Sequence, residues 1–150
     1  MSRSDFEHLA RAAILTLLAV ASETAADDPG DRYYAVELFD PVGNIVATGW
    51  LRAAELPTEG PFEGRYAIDR TGPGAPPLDA TGGRLYGRIH GRRVHLSLTT
   101  FPLERVEIEA RFLEDDRERL IGQWRYSTCF HFKSGRIRAY AADRPAPRTR

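Results

Sequence analysis

The chain has 150 residues, 42% of them apolar, with 21 basic side chains balanced by 21 acidic ones. That length fits one domain with a substantial core, and the zero formal charge excludes a global field that would draw the chain to nucleic acid or anionic membranes. A single cysteine, Cys129, excludes an intramolecular disulfide framework, and no P-loop, Gly-x-Gly-x-x-Gly, His-Glu-x-x-His or Gly-x-Ser-x-Gly motif occurs.

Residues 1–26 are expected to form an amphipathic helix. Ser4 and Glu7 stand at capping-box spacing, and Phe6, Leu9, Ala10, Ala13, Ile14, Leu17, Leu18 and Ala21 recur at i, i+3, i+4. The apolar run from Ala12 to Ala21 is too short to span a bilayer as a helix. A retained helix places the chain in the cytoplasm. The alternative is export, with residues 1–21 as a signal peptide cleaved after Ala19-Val20-Ala21.

Beyond the breaker Asp27-Asp28-Pro29-Gly30, strand-like runs follow one another through residues 31–143. They cover Tyr33 to Asp40, Ile45 to Arg52 and Phe62 to Arg70. After the Gly- and Pro-rich stretch from Thr71 to Thr81, the longest loop, comes the clearest hairpin of the chain. Leu85, Gly87 and Ile89 alternate with Arg84, Tyr86, Arg88 and His90; Gly91-Arg92 makes the turn; Val94, Leu96 and Leu98 alternate with His95, Ser97 and Thr99. Runs over Glu104 to Leu113, Arg119 to Thr128 and Arg136 to Tyr140 complete a set of eight, and residues 144–150 are a polar, proline-containing tail. Eight sequential strands joined by short turns predict a mainly β, antiparallel meander, closed as an eight-stranded barrel. A sandwich, or an open sheet wrapped round the N-terminal helix, is the alternative, because period two does not report closure.

Strand number and spacing over residues 33–142 resemble the calycin-type barrels, the lipocalin, fatty-acid-binding and avidin group. The resemblance implies an internal apolar ligand site and no particular binding residue.

The inferred inner face holds Tyr34, Val36, Leu38, Phe62, Tyr66, Ile68, Leu85, Ile89, Val94, Leu96, Leu98, Val106, Ile108, Phe112, Leu120, Trp124 and Tyr126. Such a set either fills the barrel or leaves a pocket lined by Tyr34, Tyr66, Leu85, Ile89, Leu96, Trp124 and Tyr126, with the Tyr hydroxyls and the Trp124 N–H orienting a ligand. No lysine or arginine lies on that face, so the ligand expected is small, apolar and neutral. Arg84, Arg88, Arg92 and Arg93 form a basic outer face expected to pair with Glu107, Glu109 and other acids. Cys129 is expected to be a buried thiol beside His131, flanked by Phe130 and Phe132, and not half of a metal site. The expectations for function are ordered: a non-catalytic barrel binding a small apolar molecule; an interaction or assembly module, homo-oligomeric or with a protein partner, using the N-terminal helix and barrel surface; and an isomerase- or cyclase-type enzyme with His90, Asp69, His131 and Tyr126 converging at one mouth. No catalytic residue, metal or other cofactor is assigned.

Overall fold

The computed structural model describes residues 30–78, 80–100 and 104–145. The N-terminal helix expected over residues 1–26 lies outside the described residues, and among those described no helix is long and apolar enough to cross a membrane.

The strands are β1 (Arg32–Phe39), β2 (Ile45–Ala53), β3 (Gly60–Arg70), β4 (Gly83–His90), β5 (Arg93–Thr100), β6 (Glu104–Phe112), β7 (Arg119–Ser127) and β8 (Phe132–Ala142). Each pairs antiparallel with the next, and β8 pairs with β1, so the meander is a closed barrel with no free edge. This is the architecture that the alternation predicts, and it is consistent with a calycin-like fold. Following the register once round, Ile89 leads through Val94, Ala110, Gly122, Ile137, Leu38 and Ala47 to Arg70, ten residues beyond Gly60, the partner of Ile89. A stagger of that size tilts eight strands by roughly 40° to the barrel axis.

The inner face is as the alternation places it. Every member of the inferred set is buried except Phe62, which is half-buried and packed on the core. Strand β2 contributes Ala47 and Leu51, and β8 adds Ile137 and Ala139. Strand β8 begins four residues before the expected Arg136, because Lys133-Ser134-Gly135, which resembles a turn, pairs with Trp124, Arg125 and Tyr126 of β7.

Three inward aromatic rings face glycines directly across the sheet: Phe62 opposite Gly87, Tyr66 opposite Gly83, and Trp124 opposite Gly135. A Cβ on Gly87 would lie 2.2 Å from the Phe62 ring. One on Gly135 would lie 1.8 Å from the Phe39 carbonyl oxygen and 2.8 Å from the Trp124 indole nitrogen. The missing side chains are therefore the space the rings occupy, a pairing that lets large residues fill a narrow barrel.

Both ends of the barrel are closed by the chain itself. At the end holding the β1–β2, β3–β4 and β7–β8 connections, the long loop folds inward and buries Ala75, Pro76 and Leu78. Its start is tied to β2 by the Thr71 and Gly72 N–H groups, which donate to the Val46 carbonyl at 2.7 and 3.1 Å. The Lys133 ammonium donates to the Ala75 carbonyl at 3.0 Å. At the opposite end Leu56 packs on the core. There Arg117, in a left-handed conformation with φ 61°, donates to the Pro57 and Thr58 carbonyls at 2.5 and 2.7 Å. Its guanidinium also stacks 5.5 Å from the centroid of the Phe112 ring.

Replacing Gly135 by Ala forces its new methyl against the β1 backbone, so Gly135→Ala is expected to cost roughly 2–3 kcal/mol. Urea denaturation monitored by far-UV circular dichroism checks this; an unchanged midpoint would show that the strand has room to spare.

Candidate functional site

The seven residues proposed as a pocket lining, Tyr34, Tyr66, Leu85, Ile89, Leu96, Trp124 and Tyr126, come together inside the barrel, and all are buried. Their polar atoms are already bonded within the protein. The Tyr34 hydroxyl donates to the Arg117 carbonyl at 2.9 Å, and the Tyr66 hydroxyl to the Thr99 carbonyl at 2.6 Å. The Trp124 indole N–H donates to the Phe39 carbonyl at 3.0 Å, and the Tyr126 hydroxyl donates to the Glu104 carboxylate. Each of the four groups that the sequence offers for orienting a ligand is thus used to fasten a strand or an end connection. Burial pushes the Tyr34 hydroxyl above its ordinary pKa, against the lowering effect of Arg32. The bond to Glu104 raises that of Tyr126.

The four polar residues considered for a catalytic mouth do not converge. His90 ends β4 at the Arg117 end, where its Nδ1 lies 2.5 Å from a Glu59 carboxylate oxygen. The Gly91 N–H donates to the same carboxylate at 2.9 Å and is the chief reason that it ionises below the usual range; the His90 contact adds to the effect. Asp69, Tyr126 and His131 lie toward the opposite end, in the last residues of β3 and β7 and in the β7–β8 turn. Cys129 is exposed, not buried, and Phe130 and Phe132 are 91% and 67% exposed. The alternation that would have turned them inward stops at Ser127, and a turn closed by Thr128, whose N–H donates to the His131 carbonyl at 2.8 Å, carries them outward. No group of three or more metal-ligating side chains occurs among the described residues.

The outer wall carries a concavity that the sequence did not reveal. An open pocket of about 1010 Å³ runs across β4 to β8 and the end of β1. Phe39 and Ile121 contribute apolar surface, with Gln123 and Glu109 among them. Around it stand Arg88, Arg93, Arg111, Arg136 and Arg138. Strand alternation alone puts each of these on the outer face. Their gathering depends on register, which sets Arg93 opposite Arg111, Arg111 opposite Ile121, and Ile121 opposite Arg138.

The expected pairing of the basic face is realised in part. Arg92 binds Asp115 at 2.8 Å, His95 binds Glu107 at 2.8 Å, Arg125 binds Glu109 at 2.7 Å and Arg138 binds Glu37 at 2.6 Å. Glu107 and Glu109 are therefore taken by His95 and Arg125 and not by the hairpin arginines. The side chains of Arg88, Arg93, Arg111 and Arg136 make no hydrogen bond or ion pair among the described residues.

The burial of Tyr34 has a pH signature. Its folded-state pKa lies above the ordinary 10.0, so on raising the pH the unfolded chain releases its proton first. Folding stability is then undiminished below about pH 10 and declines above it. Urea midpoints measured between about pH 8 and pH 11 should fall more steeply for the native sequence than for Tyr34→Phe. Equal slopes would contradict the assignment.

Compared with protein-family models, with curated proteins and with solved structures, the chain finds no match, so its function is argued from this geometry.

Proposed function

We propose that this calycin-like barrel is a non-catalytic binding module that engages its ligand or partner on the outer wall and not in its interior. The observation that carries this reading is the commitment of the interior. Trp124, Tyr66, Tyr34 and Tyr126 donate their polar hydrogens to Phe39, Thr99, Arg117 and Glu104, and chain segments cover both ends. A small apolar molecule inside has to displace packed side chains and leave buried acceptors without donors, at about 1–3 kcal/mol each. The outer pocket asks for no such rearrangement. It is open, it has apolar surface, and it is bordered by Arg88, Arg93, Arg111 and Arg136, which have no counter-charge among the described residues.

The same reading accommodates a protein partner. The β1–β2 and β7–β8 turns, at one end of the barrel, present Val42, 86% exposed, together with Phe130 and Phe132. These side chains suit a contact that removes them from water.

The test uses the full chain and a mixed panel of neutral apolar molecules and organic anions, with binding read by native mass spectrometry. A bound species is expected to be lost from Gln123→Trp, which fills the outer pocket, and kept by Ile89→Val, which thins the interior at a stability cost of about 0.5–1.5 kcal/mol. Loss on thinning with retention on filling would overturn the proposal in favour of an interior site. A panel with no bound species would count against it as well.

A further inference from the structure

Resting on the outer-wall reading, we infer that the pocket is a site for a small organic phosphate, a compact anion with an apolar body, whose phosphoryl oxygens are gripped by Arg93 and Arg111 from neighbouring strands. These two arginines are direct cross-strand partners on β5 and β6. Like charges placed opposite one another destabilise a sheet unless an anion lies between them. Among the described residues neither has a counter-ion, and the same holds for Arg88 and Arg136 on the same pocket.

The lack of a partner is not a lack of acids nearby. Glu109 lines the pocket, yet its carboxylate bonds to Arg125 outside it. Arg138, also on the pocket, is held by Glu37. These two acids are engaged by other arginines, and Arg88, Arg93, Arg111 and Arg136 remain on the lining of one pocket. A planar guanidinium offers paired N–H donors that match two oxygens of a phosphate, which an ammonium does not.

The pocket also specifies the rest of the ligand. Ile121 sits directly across from both Arg111 and Arg138, and the Phe39 ring lies under the Arg138 guanidinium at 5.4 Å. An aryl or alkyl body can rest there while the phosphate meets the arginines. Length is limited by Glu59 and Glu107, which are bound to His90 and His95 beside the pocket. Those carboxylates oppose a long polyanion running past the site, and the balanced charge of the chain gives such a polymer no wider attraction.

The experiment is a ¹H–¹⁵N chemical-shift titration of the full chain with phenyl phosphate, inorganic phosphate and phenol as separate probes, repeated on Arg93→Gln/Arg111→Gln. Both side chains are exposed and oppose each other, so the variant is expected to melt no lower than the native protein. Phenyl phosphate should move the amides of Arg93, Arg111, Ile121 and Arg136, bind more tightly than inorganic phosphate, and lose about tenfold or more in affinity in the variant. Phenol should leave the spectrum unchanged. Absence of binding, equal binding to both proteins, binding of phenol as tight as phenyl phosphate, or displacement of phenyl phosphate by a DNA oligonucleotide at lower concentration would overturn the inference. Shifts confined to another part of the outer wall would overturn it and spare the outer-wall reading. Shifts at Leu96, Ile108 and Trp124 would overturn both.

Discussion

The indole N–H of Trp124, on β7, passes over β8 at Gly135 and donates to the Phe39 carbonyl at the end of β1. One side chain thereby ties together three strands across the seam where the first and last strands of the meander meet. The bond exists because position 135 carries no Cβ: any side chain there would occupy the line from the indole to the carbonyl. Trp124 is fully buried and heads the large buried side chains of the protein, so the same residue that fastens the seam fills the interior beside it. Closure and filling are one arrangement. Opening the barrel to a ligand of comparable size would remove both the packing of the indole and its hydrogen bond.

The rest of the molecule extends that constraint. Tyr66 and Phe62 repeat the placing of a ring against a cross-strand glycine on β3 and β4. The two end connections bring Leu78 and Leu56 onto the core from opposite directions. With the Trp124, Tyr66, Tyr34 and Tyr126 donors bonded to Phe39, Thr99, Arg117 and Glu104, the binding capacity we propose lies on the outer wall. There Arg88, Arg93, Arg111 and Arg136 border an open pocket with no counter-ions among the described residues. Electrostatic potential that a neutral chain does not display as a whole is concentrated locally by directing Glu109 and Glu37 to other arginines.

Period-two alternation made the inner face legible, residue by residue, because each strand has one buried side and a one-residue slip would expose its whole apolar set. Gly91-Arg92 likewise announced the β4–β5 hairpin and its register. Other features were not legible for physical reasons. Ala75, Pro76 and Leu78 lie in a stretch with no periodicity, so nothing local marks them as an end closure. Lys133-Ser134-Gly135 has turn composition and became strand because Gly135 is needed opposite Trp124. Phe130 and Phe132 look like core residues by type, but the chain turns between them. The arginine pocket is the clearest case: Arg93 and Arg111 are 18 positions apart in the chain and become neighbours only through the register of β5 and β6. Composition and net charge average such a cluster away.

The central claim, that the barrel interior is a filled core and not a ligand cavity, is tested most directly by methyl ¹H–¹³C spectra recorded under xenon pressure, since xenon enters dry apolar voids. The methyl resonances of Leu85, Ile89, Leu96, Leu98 and Ile108, all buried within the barrel, are predicted to show no saturable shift. Saturable shifts at several of them would reveal an internal void and contradict the account.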